Sequence, residues 1–123
     1  MEYMAYNKRK IGETYEKKAG AFLEQMGYEI LAYNYRSRQG EIDIIARDEE
    51  YLVFCEVKYR SGKQSGHPSE AVDYKKQRNL SRCALYYIMK EADLDTACRF
   101  DVVSICGEQI SVVKNAFDYI GGA

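Results

Sequence analysis

Between Arg9 and Met26 the apolar positions Ile11, Tyr15, Ala19, Phe22, Leu23 and Met26 recur mostly three or four residues apart, the spacing of one helix face. Gly27 follows as a C-terminal stop. Residues 1–8 precede the pattern and are expected to form a flexible N-terminal arm. Tyr28 to Tyr35 then reads as a strand centred on Ile30 and Leu31, and Ser37 to Gly40 as a turn. Two β-rich runs, Glu41 to Ala46 and Tyr51 to Tyr59, are joined by a short charged connector and predict an antiparallel hairpin.

Periodicity vanishes over residues 60–69, where Gly, Ser and the single Pro gather, so this stretch is expected to be an extended loop beside the hairpin. A second helix is predicted from Glu70 to Lys90, with Ala71, Leu80, Ala84, Tyr87 and Ile88 as its apolar stripe. Phe100 to Ile105 and Gln109 to Val113 predict two closing strands around a turn at Cys106-Gly107-Glu108. The order αβββαββ, without repeat or linker, implies an α/β (α+β) fold with a mixed central β-sheet flanked by helices. A chain of 123 residues has room for one such domain, spanning 1–123.

Composition narrows the classes. No apolar run is long enough to span a membrane, and the basic triplet Lys8-Arg9-Lys10 is not followed by the apolar stretch of a secretory signal, so a cytoplasmic location is expected. The four cysteines, at 55, 83, 98 and 106, form no Cys-x-x-Cys pair, and there is one histidine; a structural zinc site lacks both spacing and ligands. Reduced thiols are expected, with Cys55 as a small buried apolar residue.

Net charge is −1, with 18 basic and 19 acidic residues, which excludes a generally basic coat for nucleic acid. The distribution is uneven: residues 1–56 carry −3, 57–82 carry +5 and 83–123 carry −3. The basic middle reads either as a solvated loop and helix face or as a polyanion contact.

The chemistry gathers in Gly40-Glu41-Ile42-Asp43 and Phe54-Cys55-Glu56-Val57-Lys58. Strand alternation sends Glu56 and Lys58 to one face and Val57 to the other, and the hairpin brings Asp43 toward Glu56. Neighbouring carboxylates in apolar runs need a compensating cation or proton. Asp and Glu oxygens suit Mg²⁺, and Lys58 could serve an attacking water or the charge on a phosphate. The alternative is a structural Glu56–Lys58 ion pair with Asp43 as a turn acid. On the first helix Glu16 falls at the edge of the apolar stripe and can reach the sheet, whereas Glu13 points away.

An acidic residue on a first helix, an Asp on one strand and Glu-x-Lys on the next resemble the PD-(D/E)XK nuclease superfamily, which has a restriction-endonuclease-like core of this order. More closely, the chain resembles the uncharacterised bacterial YraN-like family. The likeness runs through Tyr15-Glu16 with Ala19 and Phe22-Leu23, Gly27 to Leu31, Asn34 with Arg36, and Gly40 to Asp43. It continues through Phe54 to Lys58 with Arg60, Val72 with Lys76, and Arg99 to Val103. The resemblance implies a metal-dependent nuclease in which Asp43, Glu56 and the Val57 backbone carbonyl bind Mg²⁺ or Mn²⁺. It further implies that Lys58 serves the water or the transition state, and that Glu16 holds a metal water or a second ion. Glu41, two residues from Asp43 on the same strand, could support the ligands from behind or simply be solvated at the strand end.

The surrounding bases fit a nucleic-acid substrate: Arg36 and Arg38 before the hairpin, Arg60 and Lys63 after it, and Lys75, Lys76, Gln77, Arg78 and Arg82 on the second helix. Lys75, Arg78 and Arg82 share one helix side, and Lys76 and Gln77 are expected to reach the site's rim. His67 in the loop reads as a proton shuttle or as incidental. The tyrosines could stack on bases, although Tyr86, Tyr87 and most others read first as packed. Arg99 and Asp101, flanking Phe100, read as structural. The expected partner is nucleic acid, DNA ahead of RNA, and branched or single-stranded rather than sequence-specific, because so short a chain offers little surface for base readout. A homodimer or a DNA-processing complex is compatible with that reading. The alternatives are a nucleic-acid-binding module with the nuclease fold but no independent activity, and a protein-interaction domain.

Overall fold

The computed structural model describes residues 2–60 and 72–121, with side chains from Thr14 onward. Its elements follow the expected order: α1 (Glu2–Gln25), β1 (Glu29–Ser37), β2 (Gly40–Asp48), β3 (Tyr51–Arg60), α2 (Tyr74–Glu91), β4 (Cys98–Cys106) and β5 (Gln109–Phe117). The strands form one sheet in sequence order. Neighbours are antiparallel except β3 and β4, which are parallel and connected through α2. The result is a mixed α+β fold compatible with a restriction-endonuclease-like core.

The helices cover opposite faces. Ala19 and Leu23 of α1 pack on Ile44, Ala46, Val53, Cys55, Val103 and Ile105. Leu80, Cys83, Ala84 and Ile88 of α2 pack on Ile42, Ile45, Leu52, Phe54, Phe100 and Val102. Strand β3, covered on both faces, is buried from Leu52 to Glu56, which explains its continuous apolar run. Gly20 lets α1 approach the sheet: a Cβ there would collide with the Tyr33 hydroxyl oxygen. At the C-terminus of α1, Gly27 takes φ +99°, and the Tyr28 N–H donates to the Leu23 carbonyl at 3.0 Å, closing the helix.

Three boundaries differ from expectation by four residues or more. Helix α1 begins at Glu2 rather than Arg9: no Pro interrupts the chain before the amphipathic stretch, and Gly12 inside the helix costs only about 1 kcal/mol. The second helix begins at Tyr74 rather than Glu70, because Asp73 caps it by accepting the Lys76 N–H at 2.8 Å. Strand β5 runs past Val113 to Phe117, whose ring stacks on Phe100 at 4.9 Å between centroids. The predicted loop contacts Lys63 and His67 lie outside the described residues. Among the described residues no helix is long and apolar enough to cross a membrane, and all four cysteines are free, with Cys55 fully buried.

One end of the sheet is pinned by a polar network. Arg99 donates to Asp48 at 2.6 Å, to both Asp101 carboxylate oxygens at 3.0 and 3.1 Å, and to the Tyr28 hydroxyl at 2.8 Å. Tyr28 in turn donates to Asp101 Oδ2 at 2.7 Å, and the Asn115 N–H donates to Asp101 Oδ1 at 3.0 Å. Lys114 completes the charge balance 3.3 Å from Asp48. Asp101 is fully buried, yet each of its oxygens has partners. Arg99 and Asp101 are therefore structural, joining β4 to β2, β5 and the end of α1. Replacing Asp101 strands a buried guanidinium and a peptide N–H, so Asp101→Ala should lower stability by about 3–5 kcal/mol. Urea denaturation checks this; a loss under about 1 kcal/mol would refute the assignment.

Candidate metal centre

The opposite end of the sheet is built around a fork. The β2–β3 ladder ends at the pair Ile44–Cys55, although β2 begins at Gly40 and β3 continues to Arg60. Beyond that pair β2 bonds only to β1, and β3 only to β4. Asp43 and Glu56 are the first residues past the last pair. Instead of a backbone partner, the Val57 N–H donates to Asp43 Oδ2 at 2.8 Å. The N–H and C=O of one strand residue share an edge, so the Val57 carbonyl opens into the same fork.

Strand β2 changes face at this point. Ile42 packs toward α2 and Ile44 toward α1, although residues two apart on a regular strand share a face. Strand β1 does the same between Tyr33 and Tyr35, across the residue Asn34, which holds a left-handed backbone with φ +54°. The pairs Tyr33–Ile44 and Tyr35–Ile42 set Asn34 opposite Asp43. The Asn34 side chain acts to lower the proton affinity of Glu16, so this break bears on both the strand and the helix acid.

Four carboxylates converge. Glu16, Glu41 and Asp43 each offer an oxygen, all within 4.8 Å of one another. Glu56, close enough to Asp43 to feel its charge, has a side chain 6% exposed, with Lys58 Nζ at 3.8 Å and Lys76 Nζ at 3.7 Å. Both distances exceed a hydrogen bond. Glu16 Oε2 and Glu56 Oε2 are buried without any hydrogen-bond partner. Such crowding raises proton affinity. Burial and then the Asp43 charge push Glu16 from 4.5 to about 7, against the Asn34 side chain. The same two causes push Glu56 to about 7, against the two lysines. Asp43 is raised by burial, with the Val57 N–H and Lys76 opposing.

This donor set fits a hard divalent cation: carboxylate oxygens with a peptide carbonyl at their edge and, among the described residues, no thiol or imidazole in the group. The two orphaned oxygens are the observation that carries the fit, since buried anionic oxygens without a donor are stable only when a cation or proton compensates them. Asp43, Glu56, the Val57 carbonyl and Glu16 could thus hold Mg²⁺ or Mn²⁺. Glu41 stands in the group beside Glu16 and Asp43, with the 70% exposed Arg36 side chain 3.6 Å away as its counter-charge among the described residues.

The basic residues divide. Lys58 and Lys76 enter the site through Glu56. Gln77 donates to the Val72 carbonyl at 2.9 Å and fixes the entry to α2. Lys75 and Arg38 are exposed, and Arg60 and Arg78 are half-buried. Arg82 lines a shallow surface depression with Gln39, Leu85, Tyr86 and Met89. Asn34 and the depth at which Lys76 enters were not individually legible. The signal for Asn34 was an Asn inside a β-rich run, a residue type that tolerates φ above zero.

Comparison with known proteins agrees on one family. The family model described as "Uncharacterised protein family UPF0102" matches residues 15–105. A UPF0102 protein of Lachnoclostridium phytofermentans is 49% identical over 116 residues, 94% of this chain and 98% of the relative. One from Caldicellulosiruptor saccharolyticus is 44% identical over 117 residues, 90% and 99% of the respective chains. One from Aliivibrio fischeri strain MJ11 is 45% identical over 114 residues, 89% and 93%.

The raised carboxyls fix the sign of two pH effects. The folded chain retains protons on Glu16 and Glu56 that the unfolded chain has lost, so in EDTA these groups lower stability as pH rises from about 4.5 through about 7. Thermal melts should show a shallower decline in Glu56→Gln than in wild type. Since cation binding requires the ionised acids, Mn²⁺ should raise the melting temperature more at about pH 8 than at about pH 5.5. The shift should vanish in Asp43→Ala; an equal shift in that variant would exclude this centre.

Proposed function

The chain belongs to the UPF0102 family, and from that premise we propose that it is a Mg²⁺- or Mn²⁺-dependent phosphodiesterase acting on DNA. The observation that carries this reading is the buried acid fork with two orphaned carboxylate oxygens and two lysines at its mouth. A structural cluster would be expected to satisfy its own charges, as the Arg99 network does. A hard cation that completes its coordination with water and phosphate accounts for what the protein leaves open.

Bound here, such an ion would supply Lewis-acid stabilisation of phosphate charge and a water of lowered pKa. The chain's own residues do the rest. Asp43, oriented by the Val57 N–H, and Glu56, from the facing strand, converge on one point from two elements tied into the core. Glu16 and Glu41 extend the acid surface on the α1 side. Lys58 and Lys76 balance Glu56 from two elements, so a ligand that engages Glu56 frees both ammonium groups for phosphate oxygens or the attacking water. Water attacks phosphorus in line, the P–O3′ bond breaks, and the products are a 5′-phosphate and a 3′-hydroxyl, as in the superfamily that the sequence resembles. Strands β2 and β3 hold these acids more rigidly than a loop could.

The limited surface of a short chain favours recognition of DNA structure over sequence. Arg36, Arg38, Arg60 and Lys75 would supply backbone contacts, so binding should be salt-sensitive. The experiment is a cleavage panel of duplex, single-stranded, flap and four-way-junction DNA, plus RNA, with Mg²⁺ and Mn²⁺. At least one DNA should be cut. Glu56→Ala and Lys58→Ala should slow cleavage by roughly 100-fold or more. If wild type cuts none of the substrates, or both variants cut as well as wild type, the reading is wrong.

A further inference from the structure

Beside the acid fork lies an aromatic contact that metal binding does not use. Tyr15, next to Glu16 on α1, stacks on Tyr59, next to Lys58 on β3, with ring centroids 4.0 Å apart and planes 18° from parallel. The two elements that deliver the helix acid and the strand lysine therefore also deliver this pair. Lys18 stands over the Tyr15 ring at 5.7 Å. The half-buried Tyr15 is thus backed on one side by a cation and on the other by Tyr59, and the stack ends outward on Tyr59, which is 47% exposed.

Tyr59 is poorly explained as core. Its strand neighbours on the same face, Cys55 and Val57, join the cluster under α1, whereas Tyr59 lies beyond that cluster's edge. A large apolar ring held flat by a second ring, with water on its remaining side, is the arrangement that accepts a planar guest. The surrounding charge selects the guest. Lys18 stands over the Tyr15 ring, and Lys58 and Arg60 precede and follow Tyr59 along β3, so the complementary molecule combines flat aromatic units with anionic groups at short intervals. That description fits an unpaired stretch of nucleic acid, whose bases stack and whose phosphates reach the fork.

We propose that Tyr59, backed by Tyr15, is a stacking platform for an unpaired base beside the scissile phosphate, so that the substrate class is single-stranded or locally unpaired nucleic acid. The proposal rests on the phosphodiesterase reading and adds to it the feature that distinguishes substrate from intact duplex. A base inside a duplex is stacked on both sides and cannot reach the ring without leaving its neighbours.

The test separates stacking from turnover. A labelled oligothymidylate is titrated against wild type, Tyr59→Ala, Tyr59→Phe and Tyr59→Trp by fluorescence anisotropy, with a hairpin duplex as comparison. An oligonucleotide containing 2-aminopurine reports stacking directly through quenching. Tyr59→Ala should bind the single strand roughly 5- to 150-fold more weakly and lose the quenching, while Phe and Trp retain both and duplex binding is unchanged. Circular dichroism establishes that the variant is folded. The platform is overturned if folded Tyr59→Ala binds and quenches like wild type, or if wild type binds no single strand. If wild type cuts DNA while Tyr59→Ala is normal, only the platform fails; if wild type binds and quenches but cuts nothing, only the reaction fails.

Discussion

The hydrogen bond from the Val57 N–H to the Asp43 carboxylate is the contact on which the rest of the site depends. Were the β2–β3 ladder to continue in register past Ile44–Cys55, Val57 would lie opposite Ile42 and its N–H and C=O would bond to that backbone. A side chain takes the N–H instead. The ladder stops, the strands part, and a peptide carbonyl is left facing a gap lined by carboxylates. Strand separation of this kind sacrifices backbone bonds, and it is tolerable because each strand keeps its outer neighbour, β1 for β2 and β4 for β3. A central hairpin in a five-stranded sheet can open where an isolated hairpin would lose its pairing altogether.

The two helices then determine what enters the gap. Helix α1 lies close to the sheet because Gly20 leaves room for Tyr33, and this closeness brings Glu16 against Asp43. Helix α2 comes from the other face, and its capped first turn carries Lys76 to Glu56. Asp43 thus sits between an acid-rich side and a lysine-bearing side. The asymmetry explains why Glu16 and Glu56 reach similar proton affinity by different balances. Glu16 is restrained by the neutral Asn34 amide, whereas the more deeply buried Glu56 is restrained by two cations.

Much of this was legible in local pattern. A period of two placed Glu56 and Lys58 together with Val57 opposite, and a helical period set Glu16 at the edge of the apolar stripe. Both are properties of a single element, which is why they survive in sequence. The break at Asn34 and Asp43 was not legible, because it arises from two strands changing face together and shows only as which core each isoleucine or tyrosine joins. Asp48 is similar: assigned to a charged connector, it is in fact the last residue of β2 and pairs with Arg99, a partner that only the folded sheet brings near. Glu41 could be read as solvated or supporting from its position at a strand start; only the approach of α1 sets it beside Glu16. The early start of α1 was missed for a different reason, since loss of amphipathic pattern signals loss of packing rather than loss of helix.

The two polar ends of the sheet differ in how far they satisfy the charge they bury. Both ends bury acids with basic partners, and both draw on strand residues and helix-proximal residues. At the Arg99 end, Asp101 accepts on both oxygens, and Asp48 is shared by an arginine and a lysine. At the fork, two lysines are within 4 Å of Glu56 and yet neither closes to a hydrogen bond, and two carboxylate oxygens stay orphaned in buried positions. The fold can therefore satisfy buried charge, and it does so where charge serves only stability. Unsatisfied buried anions cost stability, and a sheet that neutralises one end while leaving the other open retains that cost for a ligand to relieve. The oxygens left over, one on Glu16 of α1 and one on Glu56 of β3, are hard donors of the kind that suits a divalent cation.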